Sequence, residues 1–269
     1  MKNYGFDPDK LVIEEEEYKL GALPFEVIAP DGQWEPPVYE PQAEKYETFG
    51  CTVWGTLNAI EMYFKKVFGF EPNYNEVFTY ILAGITLDGA SPQKACEAIR
   101  KNGVVDNALI PFPATYEEFS DPKQITPTLK AKGIEWLSDY DFKHEWIMSP
   151  TQDDIKEMLK YSPIGVGVTA WFKDENGLYV SRGLKNTHWC CAFGTTEEGN
   201  IKIFDSYDSS VKVLHPSHQI SVGKRYVIKK IEKELPLLVP VKKNDLWFVS
   251  IGRSLKEFLK LAWRFITNL

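Results

Sequence analysis

Sulfur and imidazole are scarce in this chain: its 269 residues include four cysteines and four histidines. Cys51, Cys96, Cys190 and Cys191 lack the paired spacing of zinc sites, and a disulfide framework is not indicated, so a reducing compartment fits. Adjacent Cys190 and Cys191 would point to opposite faces of a strand. His144, His215 and His218 are too scattered for a metal centre, and neither metal nor cofactor is expected. Residues 1–21 lack the basic start and apolar stretch of a signal peptide, so export by that route is not expected. The net charge is −7 and the lysines and arginines are dispersed, which argues against a nucleic-acid partner.

Against this background the segment Phe49-Gly50-Cys51-Thr52-Val53-Trp54 stands out. Val53, Leu57, Ile60, Phe64 and Val67 recur at intervals of three and four, predicting a helix with one buried stripe that ends at Gly69. Cys51 then stands at the first turn, where unpaired N–H groups and the positive end of the helix dipole favour an anion. A thiol attacks a carbonyl only as thiolate, so this placement suits a nucleophile. The plainer reading is a small apolar residue plugging a core.

Residues 162–171 read as a strand, 186–194 as another, and 195–200 as a turn before a third at 201–204. The last two form a hairpin, in which facing residues have numbers summing to about 395. His188, at the start of one strand, is therefore expected near Asp205 and Ser206 at the end of the next. A carboxylate there orients an imidazole, completing nucleophile, base and orienter in the chain order Cys51, His188, Asp205. Gln42, nine positions before Cys51, supplies a candidate oxyanion donor, its plainer reading being a surface glutamine in a proline-rich loop.

Taken in order, these residues resemble the papain-like cysteine peptidases, in particular the divergent versions of phage and metagenomic sequences. The likeness runs roughly from Leu23 to Ile231. Leu23-Pro24, Trp34 and Gln42 resemble the segment that ends in the oxyanion glutamine. Cys51 matches the nucleophile at the head of the central helix. Asp88-Gly89-Ala90-Ser91-Pro92 resembles the glycine-bearing substrate loop, followed by a helix, the turn Gly103-Val104 and Pro111-Phe112. Ser162 to Val166 resembles the strand preceding the catalytic histidine, which His188 matches. Phe204-Asp205-Ser206-Tyr207 takes the place of the family's Asn-Ser-Trp. The chain departs from the pattern in lacking the Cys-Gly-Ser-Cys-Trp signature, in the longer spacing from Gln42 to Cys51, in aspartate for asparagine, and in Tyr207 for the shielding tryptophan. The longer spacing requires residues 43–50 to bulge outward if Gln42 is to reach the oxyanion.

The resemblance implies an α+β, two-lobed fold. It predicts an N-terminal arm over 1–41, a catalytic domain over 42–235, with a helical lobe to about 112 and an antiparallel β lobe after it, and a C-terminal extension over 236–269. It also implies acyl transfer on a protein or peptide substrate, with Gly89, Ala90 and Trp189 lining the cleft. The Cys51 thiolate would attack, the Cys51 N–H and Gln42 side chain would hold the oxyanion, and His188 would protonate the leaving amine and then activate water. Residues 115–154 are the least readable part of the chain, with an aromatic and charged loop expected around Trp136 to Trp146 that carries specificity or caps the sheet. Residues 254–269 predict an amphipathic helix, too short to span a bilayer, which packs on protein or, alternatively, touches a membrane surface. A cytoplasmic or virion-associated location is expected. A catalytically silent peptidase-like binding or structural protein, and an amidase or transglutaminase-like acyl transferase, remain the alternatives.

Overall fold

The computed structural model describes residues 5–8, 11 and 17–232. The described residues up to Ile231 form one compact unit. The helix expected over 254–269 lies outside the described residues.

Helix α1 (Cys51–Phe68) runs through the interior of this unit, and it stops at Gly69, whose φ of 75° lets the chain leave the helix in the left-handed region. The single buried stripe read from the sequence is corrected here. Every residue from Cys51 to Phe64 is buried, whereas Val67, assigned to that stripe, is 38% exposed. The helix is enclosed on all sides because α2 (Glu76–Leu82) and α3 (Pro92–Asn102) pack on it from one direction and the sheet from the other. Asn75 and Ser91 cap α2 and α3 through their side chains, and Pro92 follows Ser91 at the first helical position.

A six-stranded sheet, antiparallel throughout, supports these helices in the order β1-β6-β2-β3-β4-β5. Its strands are β1 (Tyr140–Met148), β2 (Ile164–Val168), β3 (His188–Thr195), β4 (Ile201–Phe204), β5 (Lys212–Val213) and β6 (Val222–Lys230). The β3–β4 hairpin pairs Cys191 with Phe204 and Ala192 with Ile203, the register expected from the sequence, before a bulge at Ala192/Gly194. β2 is IGVGV and buried throughout. A Cβ at Gly165 would lie 2.4 Å from the Tyr226 hydroxyl and 2.6 Å from the Trp189 ring, so glycine is what lets both side chains approach this strand so closely.

The loop expected around Trp136 to Trp146 is instead the end of one helix and most of a strand. Short α4 (Tyr116–Phe119), α5 (Pro127–Asp139), β1 and α6 (Gln152–Met158) fill the span 115–154. Only Gly133 of α5 is buried, so the helix carries no apolar stripe to betray it in sequence. Proline at its first position and the Thr126 cap are what define it. Trp136 lies in α5 and donates its indole N–H to the Tyr74 hydroxyl at 3.0 Å, while Trp146 is fully buried in β1.

The arm is stapled to the sheet by a buried ion pair. Arg225 Nε donates to Glu145 Oε1 at 2.5 Å, its other nitrogens donate to the Leu23 and Pro24 carbonyls, and Glu145 Oε2 accepts from the Leu23 N–H. Both side chains are buried, so removing one partner strands the other charge. Glu145→Gln is therefore expected to lower stability by about 3 kcal/mol in chemical denaturation. Asp141→Asn, at the exposed pair with Lys143, is expected to change it by less than about 1 kcal/mol. Equal effects would mean that the buried pair does not fasten the arm.

Candidate active site

Cys51 begins α1 directly after Phe49 and Gly50. Phe49 has φ 52°, a left-handed conformation uncommon outside glycine, and it turns the chain sharply into the helix. The loop before it is tied down internally. Thr48 Oγ1 donates to the Gln42 carbonyl and accepts from the Gly50 N–H, the Tyr80 hydroxyl donates to the Thr48 carbonyl, and Glu47 accepts from the Phe49 N–H. These bonds absorb the extra residues between Gln42 and Cys51.

His188 and Asp205 meet as the hairpin register requires, Nε2 to Oδ1 at 2.6 Å with both side chains fully buried. Asp205 Oδ2 accepts from Trp171 Nε1 at 2.9 Å and pairs with Lys212 Nζ at 2.8 Å. Burial alone would push the Asp205 carboxyl up, but His188 and Lys212 outweigh it and hold the carboxyl well below the usual carboxylate range. The His188 ring lies between two aromatics, with Trp171 perpendicular at 5.9 Å and Tyr207 at 5.2 Å. Tyr207, which takes the place of the shielding tryptophan, thus shares the covering of His188 with Trp171.

Gln42 is buried beside the residues that follow Asp205. Its Oε1 accepts from Ser206 Oγ at 2.6 Å and its Nε2 donates to Tyr207 Oη at 2.8 Å, while its backbone N–H donates to the Ser206 carbonyl. Tyr207 in turn donates to Glu47 at 2.6 Å. One of the two amide hydrogens of Gln42 is therefore engaged by Tyr207.

The thiol itself is enclosed. Cys51 is fully buried in a cluster with Phe6, Trp146, Trp189 and Val222. Burial pushes the thiol well above the ordinary cysteine range; the backbone N–H groups of Trp189 and Thr52 favour the thiolate, and the Asp205 and Glu47 charges oppose it. Phe6 packs on Trp189 at 5.5 Å. Next to it the Gly5 carbonyl accepts from the Ala90 N–H at 3.0 Å. A Cβ on Gly89, which has φ 76°, would fall 2.1 Å from that same carbonyl oxygen. Gly89, Ala90 and Trp189 thus surround one strip of backbone, and the strip is the chain's own Gly5-Phe6. Trp189 is wholly interior.

Sequence reasoning overlooked Lys212, Trp171, Cys190 and Phe6. Trp171 ends a predicted strand, Lys212 follows a polar turn, and Phe6 lies in the arm, so none carried a local pattern; proximity in the fold selects them. His188, Cys190 and Asp205 offer one nitrogen, sulfur and oxygen within 4.8 Å of one another. That trio suits a metal poorly, because both oxygens of Asp205 already serve His188, Trp171 and the Lys212 ammonium. A cavity of about 920 Å³ lies elsewhere, bordered by Gln93, Glu97, Tyr140 and His144. No helix among the described residues is long and apolar enough to cross a membrane.

No family model and no curated protein matches the sequence. Solved structures do match. The chain superposes on the digestive procathepsin L 3 of Tenebrio molitor larval midgut with a TM-score of 0.54 and 12% identity, covering 77% of this chain and 72% of that one. For the recombinant stem bromelain precursor the TM-score is 0.52 at 15% identity, covering 72% and 66%. For bromelain from Ananas comosus in complex with an inhibitor it is 0.51 at 15% identity, covering 72% and 93%. The fold is the one shared by these papain-like cysteine proteases.

Enclosure makes a measurable difference. In the folded protein all four cysteines are buried, so reaction with a small alkylating agent at neutral pH is expected to be slow. Phe6→Ala is expected to raise the rate at Cys51, located by peptide mass mapping, by about tenfold or more. A rate unchanged by that substitution would mean that Phe6 does not control access.

Proposed function

We propose that this chain, which has the fold of the papain-like cysteine proteases, is itself a cysteine peptidase that cleaves peptide bonds through an acyl-enzyme. The observation that carries the reading is the His188–Asp205 contact of 2.6 Å, formed beside the N-H groups that surround Cys51 at the head of α1. With Nε2 donating to Asp205, proton transfer falls to Nδ1 of His188. Cys51 loses its proton to that nitrogen and attacks the amide carbonyl. The oxyanion is held by the Cys51 N–H and by Gln42, and His188 then returns the proton to the leaving amine before activating water.

The substrate in this reading is an extended protein segment, as the Gly5 carbonyl on Ala90 and the room made by Gly89 suggest. A second reading, a peptidase-like scaffold that binds without cutting, is favoured by the full burial of Cys51 and its raised thiol. A third, transfer of the acyl group to an amine, uses the same residues. A cytoplasmic or virion-associated role and a phage origin belong to the proposal as well.

An epoxysuccinyl inhibitor followed by intact mass separates these readings. A single adduct on the Phe6→Ala protein, absent after Cys51→Ala and strongly reduced after His188→Ala, is the expected result. Gln42→Ala is expected to lower kcat on a peptide substrate by about 100-fold to 1000-fold. Absence of any adduct in the opened, folded protein would leave the binding scaffold as the reading. Faster turnover with an added amine than with water would point to the transferase.

A further inference from the structure

Behind the His188–Asp205 contact lies Lys212, the first residue of β5, which pairs with Ile203 of β4 and so places its side chain by the end of that strand. Lys212 is 1% exposed. Its Nζ lies 2.8 Å from Asp205 Oδ2, 2.7 Å from Asp208 Oδ2, and 5.2 Å from the centre of the Trp171 ring. Trp171 Nε1 donates to the same Oδ2. A buried ammonium is tolerated only when its charge is matched and its hydrogens are taken, and here two carboxylates and an aromatic face do both.

Charge balance gives this arrangement its meaning. A thiolate and an imidazolium together are neutral. An asparagine behind the imidazolium leaves that sum unchanged, whereas an aspartate adds a buried negative charge that opposes the thiolate, and Asp205 does act on Cys51 in that direction. Lys212 returns the sum over the buried groups to zero, while Asp208, about half exposed, keeps its charge in solvent.

We propose that Lys212 is a positioning residue of this site: it keeps Asp205 ionised and aligned on His188, so that aspartate can stand behind the imidazole without leaving net charge buried. This inference rests on the peptidase reading for the roles of Cys51 and His188. The charge environment comes from every side of Asp205. Cys51 faces it from α1, Cys190 from β3 with Sγ at 3.7 Å, and Lys212 from β5. Tyr39 and Glu47 approach from the loop before α1, Glu47 through Tyr207, and Tyr207 and Asp208 from the turn after β4. Among these, Lys212 is the fixed cation, and it carries its charge at all pH values of interest.

The test follows the Asp205 carboxyl carbon by NMR between about pH 2 and pH 8 in the full chain, with the His188 ring observed in parallel. With His188 and Lys212 both in place the Asp205 carboxyl is expected to titrate below the ordinary carboxylate range. In Lys212→Met its inflection is expected to climb by about one unit or more, and the His188 ring signal to change through the same pH interval. In Asp205→Asn/Lys212→Met that shared inflection is expected to vanish, which assigns it to the Asp205 carboxyl. An Asp205 titration unmoved by Lys212→Met would overturn the proposal.

Should Lys212→Met fail to fold, the double variant decides. Folding of the electroneutral Asp205→Asn/Lys212→Met protein supports charge compensation, and failure of both reduces Lys212 to a packing role and overturns it. None of these readouts needs a reactive thiol. Absence of Cys51 labelling in the opened Phe6→Ala protein, alongside a shifted Asp205 titration, would therefore sink the peptidase reading and leave the role of Lys212 intact.

Discussion

The close packing of α1 on β3 is the constraint from which the site follows. At Gly55 the helix comes so near the strand that a Cβ would lie 2.9 Å from Trp189 Cδ1 and 3.3 Å from the Cys190 Cα. No side chain other than hydrogen fits there. The contact falls one helical turn after Cys51, so the head of α1 is delivered to the first residues of β3, where His188 and the Trp189 N–H stand. The hairpin then sets the partner of His188, since the β3–β4 register that joins Cys191 to Phe204 leaves Asp205 within reach of the imidazole. Thus a helix–strand contact and a hairpin register assemble three residues far apart in the chain.

What the sequence discloses of this arrangement is what periodicity and register can express. The extent of α1 to Gly69, the three strands at 164–168, 188–195 and 201–204, and the meeting of His188 with Asp205 all follow from patterns of period 3.6 and 2. Pattern fails in two kinds of place. The first is a fully enclosed helix: α1 is wrapped by α2, α3 and the sheet, so the amphipathic stripe expected for a half-buried helix misplaces Val67 in the interior. The second is a helix defined by its cap and not by its apolar face, as α5 is, where Thr126-Pro127 is the signal and burial adds little.

The site residues missed by sequence reasoning share one property. Lys212, Trp171 and Phe6 act through contacts across the chain, and each sits where its own neighbours in sequence are polar or irregular. A lysine after a serine-rich turn reads as solvent-exposed, because lysine nearly always is. Its burial becomes intelligible only once Asp205 and Asp208 are seen on either side of its ammonium group. Departure from the asparagine of the resembling family is the one hint in the sequence, since a second buried charge requires a counter-charge somewhere.

Two opposing influences act on Cys51, and their balance sets its state. The helix head and the N–H groups of Thr52 and Trp189 stabilise a thiolate, each by an amount that depends on how little water competes. Enclosure by Phe6, Trp146, Trp189 and Val222 removes that water but also removes the solvation a charge needs, and the second effect is the larger. Opening the enclosure on the Phe6 side alone would restore solvation while leaving the hydrogen-bond donors of α1 and β3 in place. Phe6 of the arm is one of the residues that close over Cys51. The His188–Asp205–Lys212 cluster, held by its own charges and aromatic walls, is formed while the thiol is buried.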